Sequence, residues 1–158
     1  MQAPQSNLHG YCQWFLAHHV LVLGGRQRID LVNNQAAGNL QQAPQSSFQV
    51  LFRNDSIREL ARKLIYEAFG RYLVIDPTNL GQFHLRLSPR APVDSIEERG
   101  LHQGAVEFHG AAMPIDQASD GVKAFVGMVV EILTGDPDVL LIDEPEAFFT
   151  SIVSIFTG

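Results

Sequence analysis

Apolar residues in this chain recur with two different periods. Between Asp55 and Phe69, Ile57, Leu60, Ala61, Leu64, Ile65 and Ala68 return every three or four positions, which is the spacing of one helix face. Ser56 followed by Glu59 gives a capping-box pattern, and Gly70 stands where a helix-ending glycine belongs. Arg58, Arg62 and Lys63 fall mainly off the apolar stripe, so they are expected on a solvated basic face. A second helix is expected from Ala118 onward. Val122, Phe125, Val126, Val129, Ile132 and Leu133 hold its period, Ser119 or Asp120 caps it, and Gly135-Asp136-Pro137 ends it.

Gln82 to Ser88 alternates instead. Phe83, Leu85 and Leu87 face one way, His84 and Arg86 the other, as in an antiparallel strand with one wet face. Tyr72 to Asp76 reads as a short apolar strand stopped by Pro77, and Pro77 to Gly81 is turn chemistry. Phe15 to Leu23 and Arg26 to Asn33 flank Gly24-Gly25 and predict a hairpin. On such a strand His18 and His19 point to opposite faces and cannot chelate one metal together. Asn34 to Ser47 lacks a period and reads as a loop. Asp94 to Gly110 is mostly charged and reads as helical, and Met1 to Gly10 is expected to fray.

The last pattern is Val139-Leu140-Leu141-Ile142 followed by Asp143-Glu144-Pro145-Glu146. Four apolar residues without polar interruption predict a parallel strand buried on both faces. Two carboxylates at its carboxyl end stand where open α/β sheets bind ligands. The same residues also suit a core strand that runs into a solvated acidic turn.

With 158 residues and 46% apolar content, the chain can form one domain with a real core, and 18% charged residues argue against disorder. A net charge of −6 argues against a broad nucleic-acid footprint. Cys12 is the only cysteine, so an internal disulfide and a multi-cysteine metal site are excluded. No apolar run approaches the roughly 20 residues of a membrane span. No basic segment followed by an apolar block marks a secretory signal, so a cytoplasmic location without membrane contact is expected.

Ser119-Asp120-Gly121-Val122-Lys123-Ala124 precedes the acidic strand by one helix. A helix start offers free N–H groups and partial positive charge to phosphate. An ordinary capped core helix would look the same. In this order and spacing, the two motifs resemble those of AAA-family ATPases of the ABC-type-head class, which include the overcoming-lysogenization-defect ATPases. Leu51 to Asp55 through Tyr72 to Gly81 is similar to the arm between the nucleotide motifs in a bacterial subset of that class. The resemblance runs from about Gly24 to Phe149.

It implies an α/β fold: a partial P-loop NTPase (ABC-type ATPase head) with an antiparallel β portion and helices, spanning residues 1–158. It also implies ATP and Mg²⁺ as cofactors. Asp143 would support the metal and Glu144 would be the catalytic carboxylate that polarises water. Ser119, Asp120, Gly121 and Lys123 would form the signature region, which closes over a γ-phosphate held by the opposite subunit. The implied assembly is a head-to-tail ATP sandwich, as a homo-oligomer or with a partner ATPase subunit. DNA contact is left open, through the DNA-processing and phage-defence roles of such ATPases.

Two departures bear on activity. Lys63 and Lys123 are the only lysines, and neither belongs to a Gly-Lys-Ser/Thr phosphate loop. Phe149 to Gly158 stands where the class carries a His-Pro segment, a D-loop and a switch histidine, and it reads as a truncation or a different frame. The expectation is therefore a fragment of an ATP-hydrolysing protein, inactive alone. One alternative is a non-catalytic module that complements a separate P-loop chain. Another is a metal phosphohydrolase using Asp143, Glu144 and Glu146, although one strand end supplies few oxygen ligands for a hard cation.

Overall fold

The computed structural model describes residues 10, 12–14, 16, 20–24, 26–135 and 137–143. Over these residues the chain is mixed α/β, with two small sheets. In the larger one, β3 (Tyr72–Asp76) and β4 (Gln82–Ser88) form an antiparallel pair running from Tyr72 opposite Ser88 to Asp76 opposite His84. The other edge of β4 is shared. The short strand β2 (Gln35–Ala36) pairs with Gln82 and Phe83, and β5 (Met113–Pro114) pairs with Arg86 and Leu87. Phe83, Leu85 and Leu87 point into the core, as their alternation predicts.

Three helices cover that face: α2 (Ser47–Arg53), α3 (Asp55–Phe69) and α6 (Asp120–Gly135). Phe48, Leu51, Ile65, Ile75, Val126 and Val130 interlock between them. On the opposite face Val74 packs with Phe108 and Ala112, under α5 (Gln103–Ala111). A sheet clad on both sides explains why β3 has no wet face.

α3 keeps its expected bounds, but Ser56 is not its cap. Asn54 fills that position, its side chain accepting from the Ile57 N–H at 3.1 Å. The Asn54 N–H also donates to Val50 O at 2.9 Å, so one residue closes α2 and opens α3. Gly70 ends α3 at φ 62, as its glycine predicts.

The basic face expected on α3 is corrected more sharply. Arg58 and Arg62 are buried, at 3% and 6% exposure, and both grip Glu98, which is 1% exposed. Arg58 Nε reaches Glu98 Oε2 at 2.9 Å and Arg62 Nη2 reaches Oε1 at 2.5 Å. Glu98 lies on α4 (Ser95–Arg99), within the charged stretch that reads as helical and which forms α4 and α5 with a break between. A carboxylate more than thirty residues away brings these arginines inside, and no local period reports it. Lys63 alone stays solvated.

Beside this triad, Arg90 clasps Glu97 with two hydrogen bonds of 2.8 and 2.7 Å, and the Val93 N–H adds a third at 2.7 Å. The hydrogen bonds from Arg90, then that from Val93, hold the Glu97 carboxyl down at about 2. An unfolded glutamate titrates near 4.3. Because the folded value is the lower one, this contribution is whole above about pH 4.3 and fades as pH falls toward 2. Glu97→Gln should therefore flatten the fall of Tm in that window and change its slope little above pH 5. Thermal unfolding at stepped pH measures this.

The turn between β3 and β4 holds Leu80 at φ 60 with its side chain 73% exposed. A leucine there bears the left-handed penalty of about 1–2 kcal/mol, without packing in return. Leu80→Gly should stabilise the chain by roughly 0.5 kcal/mol, once the added freedom of an unfolded glycine is subtracted. Urea unfolding of the two proteins measures the difference.

The hairpin expected around Gly24-Gly25 does not form. The first arm contributes β1 (Val20–Leu23), and Gln27–Asp30 is helical, as α1. α1 packs against α6 where Gly127 has no side chain. A Cβ there would lie 2.7 Å from Arg28 O and 2.7 Å from Leu31 Cβ. The partner of β1 is instead β6 (Val139–Ile142), in a parallel ribbon that sets Val20 opposite Val139 and Leu23 opposite Ile142. His18 and His19 lie outside the described residues.

Candidate functional site

The ribbon carries the acidic motif. The Asp143 N–H donates to Leu23 O at 3.1 Å, continuing the ladder one residue past Ile142. Asp143 therefore stands at the carboxyl end of a parallel pair, with its side chain exposed. The parallel arrangement agrees with the expectation and the burial does not. Val139, Leu140 and Leu141 are 42%, 37% and 52% exposed. Only Leu23 is buried in the ribbon, because among the described residues no helix layer and no third strand covers the rest. Glu144 and Glu146 lie outside the described residues.

The second motif forms the first turn of α6. Ser119 caps it: its Oγ accepts from the Val122 N–H at 3.4 Å and its carbonyl from the Lys123 N–H at 3.0 Å. Ser119, Asp120 and Gly121 are exposed. Lys123 folds back to Asp120, Nζ to Oδ1 at 2.9 Å, with its own side chain only 19% exposed. These four residues thus share one turn, with the lysine already neutralised by a neighbour. No hydrogen bond or ion pair joins this turn to Asp143 among the described residues. Nor do the described residues contain three or more histidine, cysteine or acidic groups able to hold a metal together. Asp143 offers one exposed carboxylate, and a Mg²⁺ held through it would have to draw its remaining ligands from elsewhere.

Lys123 also lines a cavity of about 580 Å³ between α1, the outer edge of β4 and the start of α6. His84 and Arg86 form part of its wall. Arg86 Nε is bound to Asp76 Oδ2 at 2.6 Å, and Asp76 Oδ1 accepts from the Thr78 N–H and hydroxyl at 2.8 and 2.7 Å. Burial alone would raise the Asp76 carboxyl, but Thr78, His109 and Arg86 together hold it below the ordinary carboxylate range. His84 and Arg86 read correctly as outward residues of an alternating strand. Their place in a cavity beside Lys123 depends on β2 and β5 meeting one edge, a long-range event with no local signal.

Comparison with protein-family models, curated proteins and solved structures finds no match to this chain. No helix among the described residues is long and apolar enough to cross a membrane.

Proposed function

We propose that this chain is one half of an AAA-family, ABC-type ATP site, completed by a second polypeptide that supplies the phosphate-binding loop. The observation carrying the proposal is the β1–β6 ribbon: a parallel pair with Asp143 at its carboxyl end and uncovered apolar sides. A partner that adds strands to the ribbon's edges and lays helices over its faces would bury those sides and present Asp143 at the ligand-binding end of the sheet. In this reading MgATP, bound mainly by the partner, brings the γ-phosphate and the cation.

The chain's own residues then divide the work. Asp143 would hold the cation through its water shell, and Glu144 would take the proton of the water whose oxygen bonds to the γ-phosphorus as the β–γ P–O bond breaks and ADP leaves. The exposed backbone of Asp120 and Gly121 approaches the phosphate oxygens from the start of α6. Lys123 must leave Asp120 to do the same. The 158 residues hold no Gly-Lys-Ser/Thr of their own, so alone they turn over no ATP.

The test is capture from an extract of the cells that encode the chain, using immobilised protein with and without Mg-ATPγS. The expected result is nucleotide-dependent recovery of a P-loop polypeptide, lost with Asp143→Asn and with Ser119→Arg. Recovery that ignores nucleotide and both substitutions, or no P-loop polypeptide at all, rejects the proposal.

A further inference from the structure

The cavity beside α6 has a charge pattern that an ATP half-site does not explain. Its floor is apolar, made by the buried side chains of Val32, Leu85 and Ile115. Its two permanent cations are each neutralised from outside the lining: Arg86 by Asp76 at 2.6 Å and Lys123 by Asp120 at 2.9 Å. Arg86 spends a further donor on Ala112 O at 3.3 Å. The lining also contains Asp30 and Asp116, and neither forms an ion pair among the described residues. Among the described residues the Asp30 carboxylate accepts only a 3.5 Å contact from Asn33 Nδ2, and the Asp116 side chain has no hydrogen bond or ion pair. Counted with the carboxylates that hold its cations, the cavity has two positive groups against four negative ones.

The sheet leaves room for a ligand at the same place. On the outer edge of β4, β2 ends at Phe83 and β5 begins at Arg86, so no strand among the described residues pairs there with His84 and Leu85. That two-residue gap opens into the cavity, which falls within the 300–1,000 Å³ or so of small-molecule sites.

We infer that this cavity binds a small organic cation, an ammonium or amidinium-type head on an apolar body. The head lies between Asp30 and Asp116 and the body rests on Val32, Leu85 and Ile115. A phosphate or carboxylate fits poorly, because it meets two uncompensated aspartates and finds both cations engaged. The inference uses neither Asp143 nor a partner chain, and it shares only Lys123 with the ATP half-site.

Three isosteric probes separate charge from shape: benzamidine, neutral benzamide and anionic benzoate, titrated into the ¹⁵N-labelled chain and followed by amide shifts. Benzamidine is expected to saturate in the millimolar range, with shifts centred on the cavity lining. Benzamide and benzoate are expected to bind at least about tenfold more weakly, the loss of one charge-assisted hydrogen bond. Asp30→Asn and Asp116→Asn, both exposed substitutions that leave the core intact, should each weaken benzamidine by about the same factor. Lys123→Met should tighten it, a gain that a purely structural lysine would not give. Equal binding of benzoate, shifts centred elsewhere, indifference to both aspartate substitutions, or no binding of any probe overturns the inference.

Discussion

Glu98→Ala is expected to cost about 3–5 kcal/mol of folding stability, enough to unfold a marginal domain. The alanine leaves Arg58 and Arg62 facing each other inside the protein without the carboxylate they share. Neither guanidinium can swing to water, because each is tied to the backbone. Arg58 donates to Leu51 O and Phe52 O at 3.2 and 2.9 Å, and Arg62 Nε donates to Leu73 O at 3.2 Å. Burial works against the Arg62 charge, and Glu98 with Glu59 more than restores it. Asp55 and Glu59 hold the outer sides of the pair but are solvated, so they replace little of the lost attraction. Urea unfolding measures the cost. Replacing the whole triad, Arg58→Met with Arg62→Met and Glu98→Leu, should be far less harmful, because no charge is then left buried. A loss below about 1 kcal/mol for Glu98→Ala would mean the triad is open to water.

Phe48→Ala is expected to cost a similar amount, about 3–5 kcal/mol, for a different reason. Phe48 is fully buried, and it pins α2 against the sheet within the main core. Its backbone also matters locally: the Phe48 N–H donates to Gln35 Oε1 at 3.1 Å, which ties α2 to β2. Beside it Phe52 stacks on Phe83, with ring centres 4.6 Å apart. A cavity at Phe48 would loosen this layer and the edge of β4 that β2 covers. Equilibrium unfolding should show a lower midpoint with little change in slope, and amide exchange should rise first in α2 and β2. A loss under 1 kcal/mol would place Phe48 outside the folding core.

The sequence carries the regular parts of this molecule well. Ile57 to Ala68 repeats over about three turns, and α3 appears where that period lies. The alternation of Phe83, Leu85 and Leu87 likewise reappears as the inner face of β4. α2 escaped because seven residues are too few for a helical period to stand out from the loop before it. The arginines of α3 were misread because burial of a charge depends on a distant partner, Glu98, that their own spacing cannot announce. The false hairpin has a similar origin. Gly-Gly between two apolar arms permits one, but β1 finds a parallel partner about 120 residues later, and such pairing leaves no trace in short windows.

The elements that carry the candidate residues were legible, and their surroundings were not. Four apolar residues before Asp143 do make a parallel strand, yet they stay exposed, because periodicity cannot say what covers a face. Ser119, Asp120, Gly121 and Lys123 do open a helix. That Lys123 is held by Asp120 and borders a cavity depends on side-chain choices outside any motif.

The most direct measurement is Mg²⁺-dependent ATP hydrolysis by the chain alone, by a captured P-loop polypeptide alone, and by their mixture. A half-site gives background rates for the chain alone and a clear rise for the mixture, abolished by Glu144→Gln in this chain. Turnover by the chain alone that Glu144→Gln removes, or a mixture no faster than the P-loop polypeptide by itself, would contradict it.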